Sequence, residues 1–188
     1  MVKIYITDLN FSLIASYRPY FSEYRKKRLQ KIKNEVRFSQ AEAAEALLCY
    51  AAEKEGYSLP LDIKTEKNGK PYAENINFSI SHSGNRVLVA IAPCRIGADI
   101  QRINEEQNLS VATKILTSSE LLGIDTHDFF RLFTMKESYF KMTGEGLPFT
   151  PKPFSNLEKS FFATWEKDEY MMCVCTCEKE EKVIEFVV

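Results

Sequence analysis

The sequence predicts an α+β protein made of two similar α+β lobes in a pseudo-two-fold arrangement, residues 1–93 and 94–188. Three observations lead there. The chain has 188 residues, enough for one large domain or two small packed lobes. Each half runs through the same order: a strand, helices of which one is long, then paired strands. Pro93 breaks the pattern between the halves, and no low-complexity segment or long linker intervenes.

Val2-Lys3-Ile4-Tyr5-Ile6 alternates in polarity, which predicts a strand over 2–8. A basic helix is expected over 22–33. Phe38-Ser39-Gln40-Ala41-Glu42 then opens a long helix, with Ser39 as N-cap and Glu42 completing a capping box. Ala43, Ala44, Leu47, Leu48, Ala51 and Ala52 follow at helical spacing, and Gly56 ends it. Asn68-Gly69-Lys70-Pro71 signals a turn. Strands are expected over 77–81 and 86–92 around Ser83-Gly84-Asn85, and another over 96–102. Helices follow over 110–117, near Ser118 with Glu120, and over 127–143, where Gly144 and Gly146 stop the chain's longest second-half helix. Strands near 160–166, 170–177 and 182–188 close the sequence.

Composition excludes several classes. Hydrophobic residues make up 45% and charged residues 27%, as in ordinary globular proteins. No run of about 18 apolar residues marks a membrane span, and the first residues lack the pattern of a signal peptide, so a cytoplasmic protein is expected. A net charge of −1 argues against nucleic acid as a partner. The charge is uneven: Arg25, Lys26, Lys27, Arg28, Lys31, Lys33 and Arg37 face only Glu23 and Glu35 in that stretch. This is either a solvated helix face or a docking site for an anionic ligand or acidic protein. Among five cysteines, Cys173, Cys175 and Cys177 recur at period two, as core-facing thiols on one strand face or, less simply, a metal site.

Two segments carry the chemistry. Asp99 and Gln101 lie two apart on a strand and share a face. Glu137 and Lys141 lie four apart on a helix and share a face. Mg²⁺ takes oxygen ligands and is often held by one or two carboxylates plus substrate phosphates. Asp99 and Glu137 can supply those carboxylates, and Lys141 can neutralise a phosphate oxygen. The alternative is a strand-end acid and a surface ion pair worth only about 0.3–0.5 kcal/mol. Upstream, Phe78-Ser79-Ile80-Ser81-His82-Ser83 reads as a phosphate-binding turn with His82, Ser81 and Ser83 as donors, or as a turn whose hydroxyls bond the local backbone.

The order of these pieces is informative. Gly69-Lys70-Pro71, then Phe78 to Ser83, then Gly97-Ala98-Asp99-Ile100-Gln101, then Phe133-Thr134-Met135-Lys136-Glu137 through Lys141, then Gly144-Glu145-Gly146-Leu147, resembles the 4′-phosphopantetheinyl transferase superfamily. The similarity is greatest to its single-chain, two-lobed, surfactin-synthetase-activating subgroup. The resemblance implies Mg²⁺-dependent transfer of the phosphopantetheine arm of coenzyme A to a serine of an apo carrier protein, releasing adenosine 3′,5′-bisphosphate. It implies Asp99 and Glu137 as Mg²⁺ ligands with Gln101 at a third metal position. Glu137 would help deprotonate the incoming serine, and Lys141 would hold a pyrophosphate oxygen. Lys70, Ser81 and His82 fall at the coenzyme A phosphates.

Two departures from the pattern stand out. The family often has a glutamate where this chain has Gln101, so the site carries one negative charge fewer. It often has an arginine on the first long helix for the coenzyme A 3′-phosphate, near where this chain has Glu45; Lys31, Lys33 or Arg37 can substitute. The basic segment thus has two candidate tasks, that phosphate and an acidic carrier protein. The two-lobed reading favours a monomer. The competing readings are a coenzyme A-binding protein of the same fold with turnover reduced through Gln101, and a structural interaction protein, which leaves Asp99, Glu137, Lys141 and His82 without a shared role.

Overall fold

Alternating apolar residues at the start of the chain form strand β1 (Val2–Asp8). In this computed structural model, which describes residues 1–67, 69–104, 113–146, 151, 153, 160–179 and 182–188, helices α1 (Phe11–Tyr17), α2 (Glu23–Leu29) and α3 (Glu35–Lys54) follow. Strands β2 (Lys64–Thr65) and β3 (Pro71–Tyr72) make a small hairpin. Then come β4 (Asn77–Ser83), β5 (Arg86–Ala92) and β6 (Ile96–Arg102). The second half adds α4 (Ser118–Leu121), α5 (Thr126–Thr143), β7 (Phe161–Lys167), β8 (Tyr170–Thr176) and β9 (Val183–Val187).

Several boundaries differ from expectation, each for a local reason. The basic helix ends at Leu29, so Lys31 and Lys33 lie in the connection after it. α3 starts at Glu35 because the Asn34 side chain accepts from the Arg37 amide; Ser39, the expected cap, lies inside the helix. Ser81, His82 and Ser83 belong to β4 and not to a turn; the reversal is Gly84-Asn85, with Gly84 at a φ of 54°. Cys177 falls past the end of β8 and is exposed, whereas Cys173 and Cys175 are buried. Of the helix expected over 110–117, residues 113–115 are helical and 110–112 lie outside the described residues, as does the motif residue Leu147. α4 carries the capping box, formed by Thr117 and Glu120.

Among the described residues there are two main sheets, one ordered β4-β5-β1-β9 and the other β6-β8-β7. All neighbours are antiparallel except β1 and β9, which run parallel, so the last strand of the chain joins the first sheet. α3 packs Ala43, Ala44, Leu47, Leu48 and Ala51 against Val87, Val89 and Ile91 on one face of the first sheet. The opposite face, with Val2, Ile4, Ile6, Leu88 and Ala90, meets Ile96, Ala98, Ile100, Met172 and Val174 of the second sheet. α5 covers that sheet's far side through β6 and β8. The layers therefore run α3, sheet, sheet, α5. No helix among the described residues is long and apolar enough to cross a membrane.

The approach of α5 to β6 depends on Gly97. A methyl group there would overlap the carbonyl oxygen of Ser138 and the amide nitrogen of Met142. Both are helix backbone and cannot rotate away. Gly97→Ala should therefore cost about 1–3 kcal/mol or more, measured as a lower urea midpoint. An unchanged midpoint would mean that α5 does not rest on β6 in this way.

Candidate active site

The junction between the sheets is made by side chains. Ser79, Ser81 and Ser83 sit opposite Ala90, Leu88 and Arg86, which places them on the inner face of the first sheet. Their hydroxyls accept from the amides of Ala98 at 2.9 Å, Ile100 at 3.3 Å and Arg102 at 3.0 Å. β6 pairs with β8 on its other edge. The serine ladder thus satisfies the outward amides of a strand edge that would otherwise be buried without acceptors.

Ser81 serves two purposes. Its hydroxyl also donates to Asp99 Oδ1 at 2.7 Å and accepts from Lys141 Nζ at 2.8 Å. Lys141 Nζ donates to the same Asp99 oxygen at 2.6 Å, and Gln101 Nε2 donates to Asp99 Oδ2 at 2.9 Å. Since a carboxylate only accepts, the amide nitrogen of Gln101 must face it, leaving the Gln101 carbonyl oxygen turned away. Asp99 is 1% exposed. Glu137 lies one turn before Lys141 on α5, and its carboxylate makes no hydrogen bond to a described residue. Burial, reinforced by the negative charge of Asp99 and opposed by Lys141, raises its pKa to about 7. A half-buried carboxylate with no donor, facing a second carboxylate, fits a divalent cation held by few protein oxygens. Asp99 and Glu137 would hold it.

Two clefts meet at this point. The larger, of about 910 Å³, lies between α2, α3 and β4 and is lined by Arg25, Arg28, Lys31, Lys33, Arg37 and His82, among others. The smaller, of about 320 Å³, is more apolar, with Phe78, Ile80 and Phe140 beside Glu137 and Lys141. Gly69, Pro71 and Ile80 belong to both. His82, on the α3 face of β4, has its pKa lowered by burial and then by Lys141, with Asp99 opposing. It is therefore a neutral donor or acceptor at neutral pH.

The sequence pattern of the 4′-phosphopantetheinyl transferase superfamily matches residues 95–186, the stretch that carries β6, Asp99, Glu137 and Lys141. Among curated relatives, the chain is 32% identical to 4′-phosphopantetheinyl transferase psf-1 of Bacillus pumilus over 114 residues, covering 54% of this chain and 48% of that protein. It is 36% identical to 4′-phosphopantetheinyl transferase gsp of Aneurinibacillus migulanus over 87 residues, 42% and 36% of the two chains. It is 35% identical to 4′-phosphopantetheinyl transferase Sfp of Bacillus subtilis (strain 168) over 101 residues, 48% and 45%. The chain thus spans about half or less of the length of these relatives.

In and around the matched stretch, Ser81, Asp99, Gln101, Glu137 and Lys141 come together at one point. His82 lies beside them on the other face of β4, and Lys31, Lys33 and Arg37 line the cationic cleft. Lys70 lines the smaller cleft, between Gly69 and Pro71, which line both; its amine donates to the carbonyls of Met142 at 3.0 Å and Ile96 at 3.3 Å. Glu45 is 1% exposed and accepts from Arg25 Nε at 2.6 Å. Breaking such a buried pair costs about 3–5 kcal/mol. Arg25 is the cleft residue that sequence reasoning did not single out; its partner is twenty positions away on another helix. The serine ladder was also missed, though its Ser-x-Ser-x-Ser spacing was visible. Lys136, beside Glu137, is fully buried, donating to Ile115 O at 3.1 Å and Glu120 at 2.5 Å. Among the described residues no group of three His, Cys, Asp or Glu could hold a metal, so the cysteine triplet does not form such a site there.

The raised pKa of Glu137 has a definite sign for stability. The folded state binds this proton more tightly than the unfolded state, whose value is near 4.5. Between the two values the unfolded chain carries fewer protons, so stability falls as pH rises through about 4.5 to 7. Glu137→Gln should remove that loss in metal-free protein. Its stability gain over wild type, from urea melts, should be near zero below the window and full above it. A gain independent of pH would mean that Glu137 ionises normally.

Proposed function

We propose that this chain is a Mg²⁺-dependent 4′-phosphopantetheinyl transferase that moves the phosphopantetheine arm of coenzyme A to a serine of an apo carrier protein. The observation that carries the reading is Glu137, a carboxylate with no hydrogen-bond partner among the described residues, beside Asp99 and Lys141, where a cationic cleft opens into an apolar one. Coenzyme A has matching chemistry: an anionic nucleotide end, a diphosphate, and a long neutral arm. The nucleotide end would lie against Lys31, Lys33, Arg37 and His82, with Arg25, held by Glu45, joining them where the family often has an arginine on the helix. The diphosphate would reach Lys141 and Ser81, and the arm would follow Phe78, Ile80 and Phe140.

Asp99 and Glu137 would hold Mg²⁺, with Gln101 orienting Asp99 through Nε2 and offering its carbonyl oxygen directly or through water. When bound, the ion would neutralise charge on the diphosphate. In the reaction, the carrier serine oxygen bonds to the phosphorus that bears the arm, and the bond to the bridging oxygen breaks. Adenosine 3′,5′-bisphosphate leaves with that electron pair. Glu137 would take the serine proton directly or through water. Lys141 stabilises charge on the leaving side.

The finer architecture belongs to the same reading: two lobes, residues 1–93 and 94–188, related by a pseudo-two-fold axis, with β9 of the second crossing to β1. The support is that each main sheet carries one long helix, α3 or α5. The enzyme would be a cytoplasmic monomer. Its buried thiols suit a reducing compartment, and its basic α2 would attract an acidic carrier protein.

Incubation with coenzyme A, Mg²⁺ and apo carrier proteins, followed by intact-mass measurement, should show the carrier gaining one phosphopantetheine. Asp99→Asn should slow transfer by about 100-fold or more. Binding of coenzyme A without transfer would instead favour a binding protein of the same fold. Gln101→Glu should lower the Mg²⁺ concentration at half-maximal rate by adding a carboxylate; an unchanged value would separate Gln101 from the metal.

A further inference from the structure

The C-terminal end of α5 is held in an unusual way for a helix that presents Glu137 and Lys141. The last four carbonyls of a helix lack intrahelical partners. Gly144, at a φ of 74°, returns its amide to Phe140 O. The next free carbonyls go to cations from elsewhere in the chain. Met142 O accepts from Arg95 Nε at 2.6 Å and from Lys70 Nζ at 3.0 Å. Thr143 O accepts from Arg95 Nη2 at 2.9 Å. Arg95 Nη2 also lies 2.9 Å from both carboxylate oxygens of Glu66. A methyl on Gly144 would overlap that carboxylate, so the Glu66 side chain sits directly against the helix end.

Two cations on one carbonyl repel each other, and burial adds to the cost. Both effects are recorded in Lys70, whose pKa is lowered to about 8, first by burial and then by Arg95. The negative end of the helix and Glu66 offset this repulsion. The placement matters for the site in two ways. Met142 directly follows Lys141, so the clamp grips α5 next to the amine that touches Asp99 and Ser81. The clamp residues Glu66 and Lys70 flank the hairpin connection whose Gly69 and Pro71 line both clefts. Lys136 anchors the earlier part of the helix, and Ser138 donates to Cys173 O at 3.0 Å. Without the clamp, the turn carrying Lys141 would be the loose end.

We propose that Arg95, set by Glu66 and joined at Met142 O by Lys70, is a positioning residue that fixes the Lys141 turn of α5 against Asp99 and does not itself contact coenzyme A. The inference deepens the transferase reading and rests on it for its kinetic consequence, but the clamp can be observed independently of turnover.

The test uses the full chain with Arg95→Gln and the conservative Arg95→Lys. Amide hydrogen exchange should quicken at Gly144 and Glu145 in Arg95→Gln. In the transfer assay kcat should fall by about 10- to 100-fold, while coenzyme A affinity by calorimetry stays within about two-fold. Arg95→Lys, which keeps a cation at the helix end, should recover much of the rate. Affinity falling in step with rate would make Arg95 a ligand contact and overturn the proposal. Unchanged exchange and kcat would overturn it as well. A wild-type protein that shows the exchange effect yet transfers nothing would defeat the transferase reading and leave the clamp standing.

Discussion

Three serine hydroxyls determine how closely the two sheets approach. A buried strand edge needs acceptors for its amides, and a backbone ladder between β4 and β6 would merge the two sheets into one. Accepting through Ser79, Ser81 and Ser83 instead keeps them as separate layers. It also brings the α5 face of β6, and with it Asp99, to a strand edge that opens on both clefts. The middle hydroxyl links this structural role to chemistry, since it contacts Asp99 and Lys141 directly. Removing it would unsettle the fold and the site together.

Around that junction, charge is arranged so that some groups are matched and one is not. Arg25 is matched by Glu45, Lys136 by Glu120, and Lys141 by Asp99. Among the described residues Glu137 has no such partner, and burial with Asp99 nearby raises its pKa. A dedicated ion pair would neutralise it and leave little reason for a metal to bind. The same imbalance appears on a larger scale in the cationic cleft, whose lining contains five lysines and arginines and no carboxylate. Both features would suit an anionic ligand and a divalent cation.

Much of this was legible in the sequence. Strands were expected where β1 and β4 to β9 lie, and the spacing of Asp99 with Gln101 and of Glu137 with Lys141 singled out groups that the fold brings together. What was hidden depended on contacts between distant residues. Ser39 carried a plausible capping box, yet Asn34 caps α3 because its side chain reaches the Arg37 amide. Lys70 lay in a motif that pointed to phosphate, but its amine reaches the end of α5, a partner 72 residues away. Arg25 was one of seven similar cations until Glu45 distinguished it. The serine triplet looked like a turn because hydroxyls and a histidine before Gly84 suit a turn as well as they suit an edge strand.

The phosphorus NMR spectrum of coenzyme A bound to the protein, recorded as Mn²⁺ replaces Mg²⁺ in small increments, interrogates the junction itself. A paramagnetic ion held by Asp99 and Glu137 will broaden the two diphosphate resonances well before the ribose monophosphate resonance, and Asp99→Asn will abolish that preference. Uniform broadening of all three resonances, or an unaltered preference in Asp99→Asn, would place the metal elsewhere and contradict the site described above.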